Sequence, residues 1–354
     1  MNSNYKVIDL FSGCGGSALG FKNMGFDIRV AVDNNEIAGK SFEANFKDCK
    51  VIKESICDVD GKYLMKAGNL SKKDKIVLIA CPPCQGFSNA RRNSQRRNDP
   101  RNKLIFEVVK IIKQVKPVAF VMENVPGLAK GIGKNILEDV LGDIKEMGYK
   151  LKYDVIDTAD YGVPQHRRRV VIIGIKGKKE PVFLSQTHAD PAKKESTLKV
   201  WMTVKNTIGD LPKIEAGETY NYDKLHRSAS LAEINLQRIK NTPQNGGDRT
   251  SWPEKLILTC HKNTTGHKDV YGRMRWDAPS PTMTGGCGMI TKGRFGHPEQ
   301  DRAISLREAA RLQTFPDDFI FIGNFGDIAK QIGNAVPPRL GELTAKAILE
   351  SIGD

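Results

Sequence analysis

At 354 residues, 39% hydrophobic and 27% charged, the chain is too long for one ordinary core and reads as a globular protein of roughly two domains. No apolar run approaches the ~20 residues of a membrane span, and the opening MNSNYKVIDLF lacks the basic-then-apolar pattern of an export signal. A net charge of +14 favours a polyanionic partner, with a plain lysine-rich surface equally open, and seven cysteines fit a reducing compartment better than a disulfide framework, so a cytoplasmic protein is expected.

Short apolar runs bounded by turn signals recur through the first half: Val7–Leu10, Ile28–Val32, Lys50–Lys53, Ile76–Ala80 and Val118–Met122. Between them the helical period returns, as where Leu104, Val108, Ile111 and Ile112 share one face of a helix ending before Pro117. Strand alternating with helix reads as an α/β fold with a mostly parallel sheet, whose ligands sit at the carboxyl ends of the strands.

The unusual residues lie at those ends. After the first strand, "DLFSGCGGSALGF" (9–21) carries Gly13, Gly15 and Gly16, which permit a tight turn and close approach of backbone to a ligand. Asp33 closes the second strand, 20 residues past Gly13, a suitable spacing for a carboxylate that grips a ribose. The same loop matches G-x-G-x-x-A at Gly13, Gly15 and Ala18, which leaves a nicotinamide dinucleotide open. Ser55 and Ile56 follow the third strand, "CPPCQG" the fourth and "ENVPG" (123–127) the fifth. One crevice can collect them all.

Cys84 has three ordinary readings. It is a small buried hydrophobe, half of a redox pair with Cys81, or half of a zinc site. Zinc is disfavoured because no second C-x-x-C exists, and no metal is expected. A redox pair needs the motif to begin a helix, which Pro82 and Pro83 permit poorly beyond a first turn.

Its neighbours decide the matter. "DLFSGCGG", "PPCQGFS", "ENV", "QHRRR" (165–169), "REAARLQTFPD" (307–317) and "QIGNAVPP" (331–338) occur in the order found in the cytosine-C5 DNA methyltransferases, and the chain resembles that family in its bacterial and phage restriction-modification form. The match covers roughly 5–175 and 304–350. The resemblance implies a Rossmann-like, S-adenosylmethionine-dependent methyltransferase domain over 1–180, a smaller target-recognition domain over 181–303, and a return to the first over 304–354. It implies double-stranded DNA as substrate, a monomer working near the bacterial nucleoid, and a partner endonuclease acting on the same site.

The chemistry accounts for the residue types. Cytosine C5 is a weak nucleophile until a thiolate adds to C6, and Cys84 is the candidate thiolate. That addition calls for a proton at N3, for which Glu123 is the candidate, and for fixed donors at O2, for which Arg169 and Arg167 are the candidates. A bound water then serves as the base that removes the C5 proton. By resemblance, Phe11, Ser12, Gly13, Cys14, Gly15 and Gly16 hold the cofactor, Asp33 takes its ribose, and Asn34, Ser55, Ile56, Pro83, Leu104, Asn334 and Ala335 complete the pocket. Asn34 stands where the family often has a bulky apolar residue, and Ser55 where it commonly has aspartate.

Behind Cys84, residues 85–103 hold Arg91, Arg92, Arg96, Arg97, Arg101 and Lys103 against a single acid, Asp99. Such a segment cannot pack into a core, and with Gly86 as a hinge it is expected to swing over DNA and bind phosphates. Gln85, Ser88, Arg91, Arg92, Arg96 and Arg97 are therefore candidate DNA contacts. So are Thr282 and Gly285 of "WDAPSPTMTGG" (276–286), which the resemblance places near an extruded base. Arg249, Arg273 and Arg275 are candidate readers of base edges. Ser305 and Glu308 read as a capping box. Three rivals remain: a nicotinamide-dependent oxidoreductase, which gives Cys84, ENV and QHRRR no joint role; a methyltransferase acting on transfer RNA; and an inactive DNA-binding relative, against which Cys84 and Glu123 speak.

Overall fold

The computed structural model describes residues 4–83, 104–193, 195–262 and 269–353. In chain order the first elements are β1 (Tyr5–Leu10), α1 (Gly16–Asn23), β2 (Asp27–Val32), α2 (Glu36–Asn45), β3 (Lys50–Ile52), α3 (Gly61–Ala67) and β4 (Lys75–Ala80). There follow α4 (Leu104–Val115), β5 (Ala119–Asn124), α5 (Ile132–Glu146), β6 (Tyr149–Asp157) and β7 (Arg168–Lys176). Beyond them lie β8 (His188–Ala189), β9 (Lys199–Val200), α6 (Val204–Ile208), α7 (Glu233–Lys240), α8 (Thr259–Lys262), α9 (Leu306–Leu312), α10 (Phe325–Asn334) and α11 (Pro338–Ile352).

The chain divides into two compact units: residues 1–161, 168–186 and 335–354 form the first, and 162–167 with 187–334 form the second. These bounds differ from those expected of the sequence, because 304–334 fall with the second unit and only 335–354 return to the first. The reason is local. Arg307 of α9 donates to Asp223 and Glu308 accepts from Arg302, both in the second unit, whereas α11 packs on α1.

In the first unit, seven strands run in the order β3-β2-β1-β4-β5-β7-β6. The pairs β1–β2, β2–β3, β1–β4 and β4–β5 are parallel, and only β7 runs against its neighbours. The order reverses between β1 and β4, and loops leaving the carboxyl ends there diverge to open a crevice. One sheet face carries Ile8, Leu10, Leu78, Phe120, Met122 and Ile172 against Val108, Ile111, Ile112, Val140 and Ile144 of α4 and α5. The predicted apolar face of α4 is that face, with Leu104 packed at its rim.

The opposite face is covered by α1 and α11, which cross at small residues. A Cβ on Gly20 would stand 2.3 Å from the Pro338 carbonyl oxygen and 2.4 Å from the Glu342 nitrogen. One on Gly341 would stand 2.7 Å from the Ser17 carbonyl oxygen. Asn23 Nδ2 donates to Glu342 Oε1 at 2.8 Å beside this crossing.

The second unit has little regular structure, as its turn-rich composition predicts, and buried ionic side chains organise it. The capping box is present: Ser305 Oγ accepts from the Glu308 nitrogen, and Glu308 Oε2 accepts from the Ser305 nitrogen. Glu308 also receives both forks of Arg302, at 2.8 and 2.7 Å, with both residues almost wholly buried. Burial opposes the Glu308 charge, but the Arg302 hydrogen bonds and charge prevail and lower its pKa to about 2. His297 Nδ1 accepts from the Glu299 and Gln300 nitrogens, and burial lowers its pKa to about 3, so the ring is neutral there.

Replacing Gly20 with alanine should force α1 and α11 apart. We expect a loss of about 1–3 kcal/mol, typical of overpacking against backbone, read as a lower thermal unfolding midpoint. A midpoint equal to the wild type would show that the crossing is slack.

Candidate active site

The loops that follow β1 to β5 leave the sheet at one edge. β1 ends at Leu10, and Phe11, Gly13 and Gly15 all take positive φ (59°, 52° and 99°) to turn the chain into α1. Gly15 has no alternative, since a Cβ there would lie 2.6 Å from the Phe46 ring. Among the described residues, nothing stands within 4 Å of a would-be Cβ on Gly13, leaving an open cradle beside its backbone. Ser12 joins the turn through its nitrogen, which donates to the Val32 carbonyl at 3.0 Å.

Asp33 ties this loop to the next. Its Oδ2 accepts from the Gly13 nitrogen and its Oδ1 from the Asn35 nitrogen, each at 2.8 Å. Burial raises the Asp33 pKa, and those two hydrogen bonds pull it back. Asn34 is exposed, Ser55 caps a short turn by accepting from the Cys57 nitrogen at 3.3 Å, and Ile56 is in the core. Cys14 and Gly16 are buried, and burial pushes the Cys14 thiol up to about 12, which leaves it unreactive.

Sequence reasoning passed over Asp9. It is 1% exposed on β1, and neither carboxyl oxygen has a hydrogen-bond partner among the described residues. Burial first, and then the Asp33 charge, raise its pKa well above the carboxylate range. A buried polar group without a partner stands out in a native fold, and its composition signal, one acid in an apolar strand, was legible.

At the next strand ends, Glu123 and Arg169 meet. Antiparallel pairing of β5 with β7 sets Glu123 opposite Val171, and Arg169, two residues earlier, places Nε 2.7 Å from Glu123 Oε1. Both side chains are mostly buried, 13% and 14% exposed, and Arg169 Nη1 also donates to the Arg168 carbonyl at 2.7 Å. Glu123 lines a small cleft with Ser17, Cys81, Val121, Val171 and Leu340.

Asn124 is a second residue that sequence reasoning left without a role. It is buried; its Nδ2 donates to the Pro82 carbonyl at 3.0 Å, and its Oδ1 accepts from the Val125 nitrogen at 2.7 Å. ENV is thereby fastened to the proline pair that leads to Cys84, with Pro83 half-buried. Cys84 itself, and Gln85, Ser88, Arg91, Arg92, Arg96 and Arg97, lie outside the described residues. Leu104 opens α4 beyond that gap, and Ala335 begins the return of the chain into the first unit.

The remaining motifs are joined within the second unit by buried side chains. Arg167, expected beside Arg169 as a donor to substrate, is 3% exposed and gives its Nη1 to the Met283 and Gly333 carbonyls at 3.0 and 3.2 Å. Gln165 donates to Gln313 Oε1 at 2.8 Å and accepts from the Met283 nitrogen at 2.9 Å. Thr282 Oγ1 donates to the His166 carbonyl at 2.7 Å. Gly285 sits against Lys330, and a Cβ on Gly333, just before Asn334, would strike the Thr284 backbone at 2.0 Å. Two of the candidate base readers are corrected as well: Arg249 is buried, and Arg273, at 1% exposure, donates to the Thr242, His297, Gln300 and Ile239 carbonyls.

Residues 5–350 match the family model described as C-5 cytosine-specific DNA methylase. The chain is 37% identical over 350 residues to the Type II methylase M.HgiDII of Herpetosiphon aurantiacus, spanning 97% of this chain and 94% of that one. It is 36% identical over 347 residues to the Type II methyltransferase M1.HphI of Haemophilus parahaemolyticus, spanning 97% and 86%. In fold, it is similar to the Entamoeba histolytica methyltransferase EhMeth, with a TM-score of 0.67 at 17% identity over 99% of this chain and 100% of that one. The shared architecture is a Rossmann-like α/β fold.

Changing Asn124 to alanine strands the Pro82 carbonyl without its donor. An unsatisfied buried acceptor costs about 1–3 kcal/mol, so we expect a lower unfolding midpoint and faster proteolysis after Pro83. Cleavage at the wild-type rate would mean that Asn124 does not hold this loop.

Proposed function

The chain belongs to the C-5 cytosine-specific DNA methylases, and from that premise we propose that it methylates a cytosine swung out of duplex DNA, through a covalent bond between Cys84 and C6. The observation that carries this reading is the Glu123–Arg169 pair on the cleft, joined through Asn124 to the loop that leads to Cys84. A carboxyl and a guanidinium side by side suit the N3 and O2 positions of one base edge.

In this reading the Cys84 thiolate forms the Sγ–C6 bond and pushes the C5–C6 electron pair toward C5. Glu123 holds a proton at N3, and Arg169 donates to O2, where negative charge accumulates. Once C5 carries its methyl group, a bound water takes the C5 proton, the Sγ–C6 bond breaks and the ring is restored. A base inside a helix cannot offer C6 to a thiol, so extrusion precedes addition at a cost of a few kcal/mol. Residues 85–103 supply phosphate contacts that offset this cost.

The crevice suits S-adenosylmethionine. The open cradle at Gly13 admits close backbone contact, and Asp33 is held with its carboxylate between two loops. Phe11, Asp33, Ile56, Leu104 and Ala335 would hold the cofactor, which supplies a methyl group on a sulfonium. Gly13 and Gly15 keep the turn open, and Asp33 orients the ribose hydroxyls. We assign target recognition to the second unit. Because the relatives are Type II enzymes, we also propose a partner endonuclease that shares the target.

Four measurements test the reading. Labelled S-adenosylmethionine with duplex DNA or with RNA should mark DNA only, and duplexes carrying 5-fluorocytosine should trap a covalent adduct that Cys84→Ser does not form. Glu123→Gln should slow single-turnover methylation by roughly 10²-fold or more while the adduct stays on Cys84. Exchanging residues 187–334 for the matching stretch of a relative should move the methylated sequence to the donor's. An active chimera with the original target would falsify the assignment of target recognition to the second unit.

A further inference from the structure

The second unit is rich in arginine, and the structure sorts those side chains by what they touch. Arg273 and Arg302 are 1% and 0% exposed and are spent on backbone carbonyls and on the acids Asp301 and Glu308. Arg294 donates to the Gly246 and Gly247 carbonyls, and Arg238 lies over the Trp252 and Tyr271 rings. Among the described arginines of this unit, Arg275 is the most open to solvent, its side chain 59% exposed.

Its stem is seated in a place made for it. Asn245 and Gly246 turn with φ of 51° and 106°, and a Cβ on Gly246 would stand 2.5 Å from Arg275 Cγ. The residues on either side are fixed. Met274 is 1% exposed, and its nitrogen donates to the Gly296 carbonyl at 2.8 Å. The Trp276 nitrogen donates to Asn245 Oδ1 and its indole nitrogen to Glu299 Oε1, both at 2.7 Å. A guanidinium carried on so rigid a base is pre-organised for recognition.

Among the described residues, one group holds the head. Nε and Nη2 meet Asp277 Oδ1 and Oδ2 at 3.0 and 2.9 Å, and Asp277 is itself 60% exposed. A surface pair of this kind exchanges partners at little cost. Asp277 also bears on what the partner is. Its carboxylate repels a phosphate, whereas the O6 and N7 acceptors of guanine are neutral and match the planar arginine fork. A carboxylate beside that fork can in turn accept from a cytosine amino group.

Resting on the assignment of target recognition to the second unit, we propose that Arg275 reads a guanine of the target sequence in the major groove, with Asp277 keeping the fork in plane until the base replaces it.

The test is methylation of a duplex library with randomised flanking positions, sequenced after bisulfite treatment, by the wild type, Arg275→Ala, Arg275→Lys and Asp277→Asn. Both Arg275 variants should lose a guanine preference at one position by about 5- to 150-fold, with other positions unchanged. Arg275→Lys stays impaired because it keeps the charge without the fork. Asp277→Asn should keep the preference while binding non-target duplex more tightly. An unchanged guanine preference in both Arg275 variants overturns the proposal. So does a uniform loss across all sequences with a salt slope flatter by ~0.9, the mark of a phosphate contact. If the unit exchange moves the target while Arg275→Ala leaves it alone, only the role of Arg275 fails; if the exchange does not move it, the assignment of the unit fails first.

Discussion

A parallel strand can deliver the loop that follows it to one edge of its sheet only, and this constraint organises the first unit. β1 to β5 run the same way, so the glycine turn, Asp33, the Ser55 turn, the proline pair and ENV all emerge on that edge. The reversal of strand order between β1 and β4 parts two of these loops and opens the crevice between them. β7 then contributes from the opposite direction. Being antiparallel to β5, it brings Arg169 at its start to Glu123 near the end of β5, a meeting that a parallel strand would have placed at the far edge.

The second unit solves its stability problem differently. With few strands and short helices it cannot rely on ladders, and buried guanidinium groups take their place as hubs. Arg273 gathers carbonyls from Thr242, His297, Gln300 and Ile239, and Arg302 bridges Ile214, Ala303 and Glu308. Such hubs satisfy loop backbone that would otherwise be buried without partners. They also explain why arginine is plentiful here although its heads are mostly turned inward.

Much of the first unit was legible in the residues. Apolar runs marked β1 to β5, the period of α4 marked its buried face, and loop chemistry marked the crevice, because backbone and burial leave regular imprints on composition. The roles of Arg167 and Arg273 were not legible. An arginine that ties carbonyls from distant segments carries no local signal to distinguish it from one that meets a ligand. Asn124 and Gln165 were inside recognised motifs, yet their hydrogen bonds to Pro82 and to Gln313 and Met283 depend on contacts far along the chain. The grouping of α9 and α10 with the second unit was hidden for the same reason, since it rests on contacts such as that of Arg307 with Asp223, far back along the chain.

The crossing of α1 and α11 has a consequence for how the protein is made. Asn23 and Glu342 meet across 319 positions of chain, beside the close approach of α1 and α11 at Gly20 and Gly341. During synthesis the turn and α1 leave the ribosome long before α11 exists, so the sheet face that α1 and α11 share stays partly uncovered while the whole second unit is being translated. Contacts of such long range slow folding and leave apolar surface open to association. The helix that follows the glycine turn is therefore translated well before the helix that packs against its small residues, and that packing waits for α11.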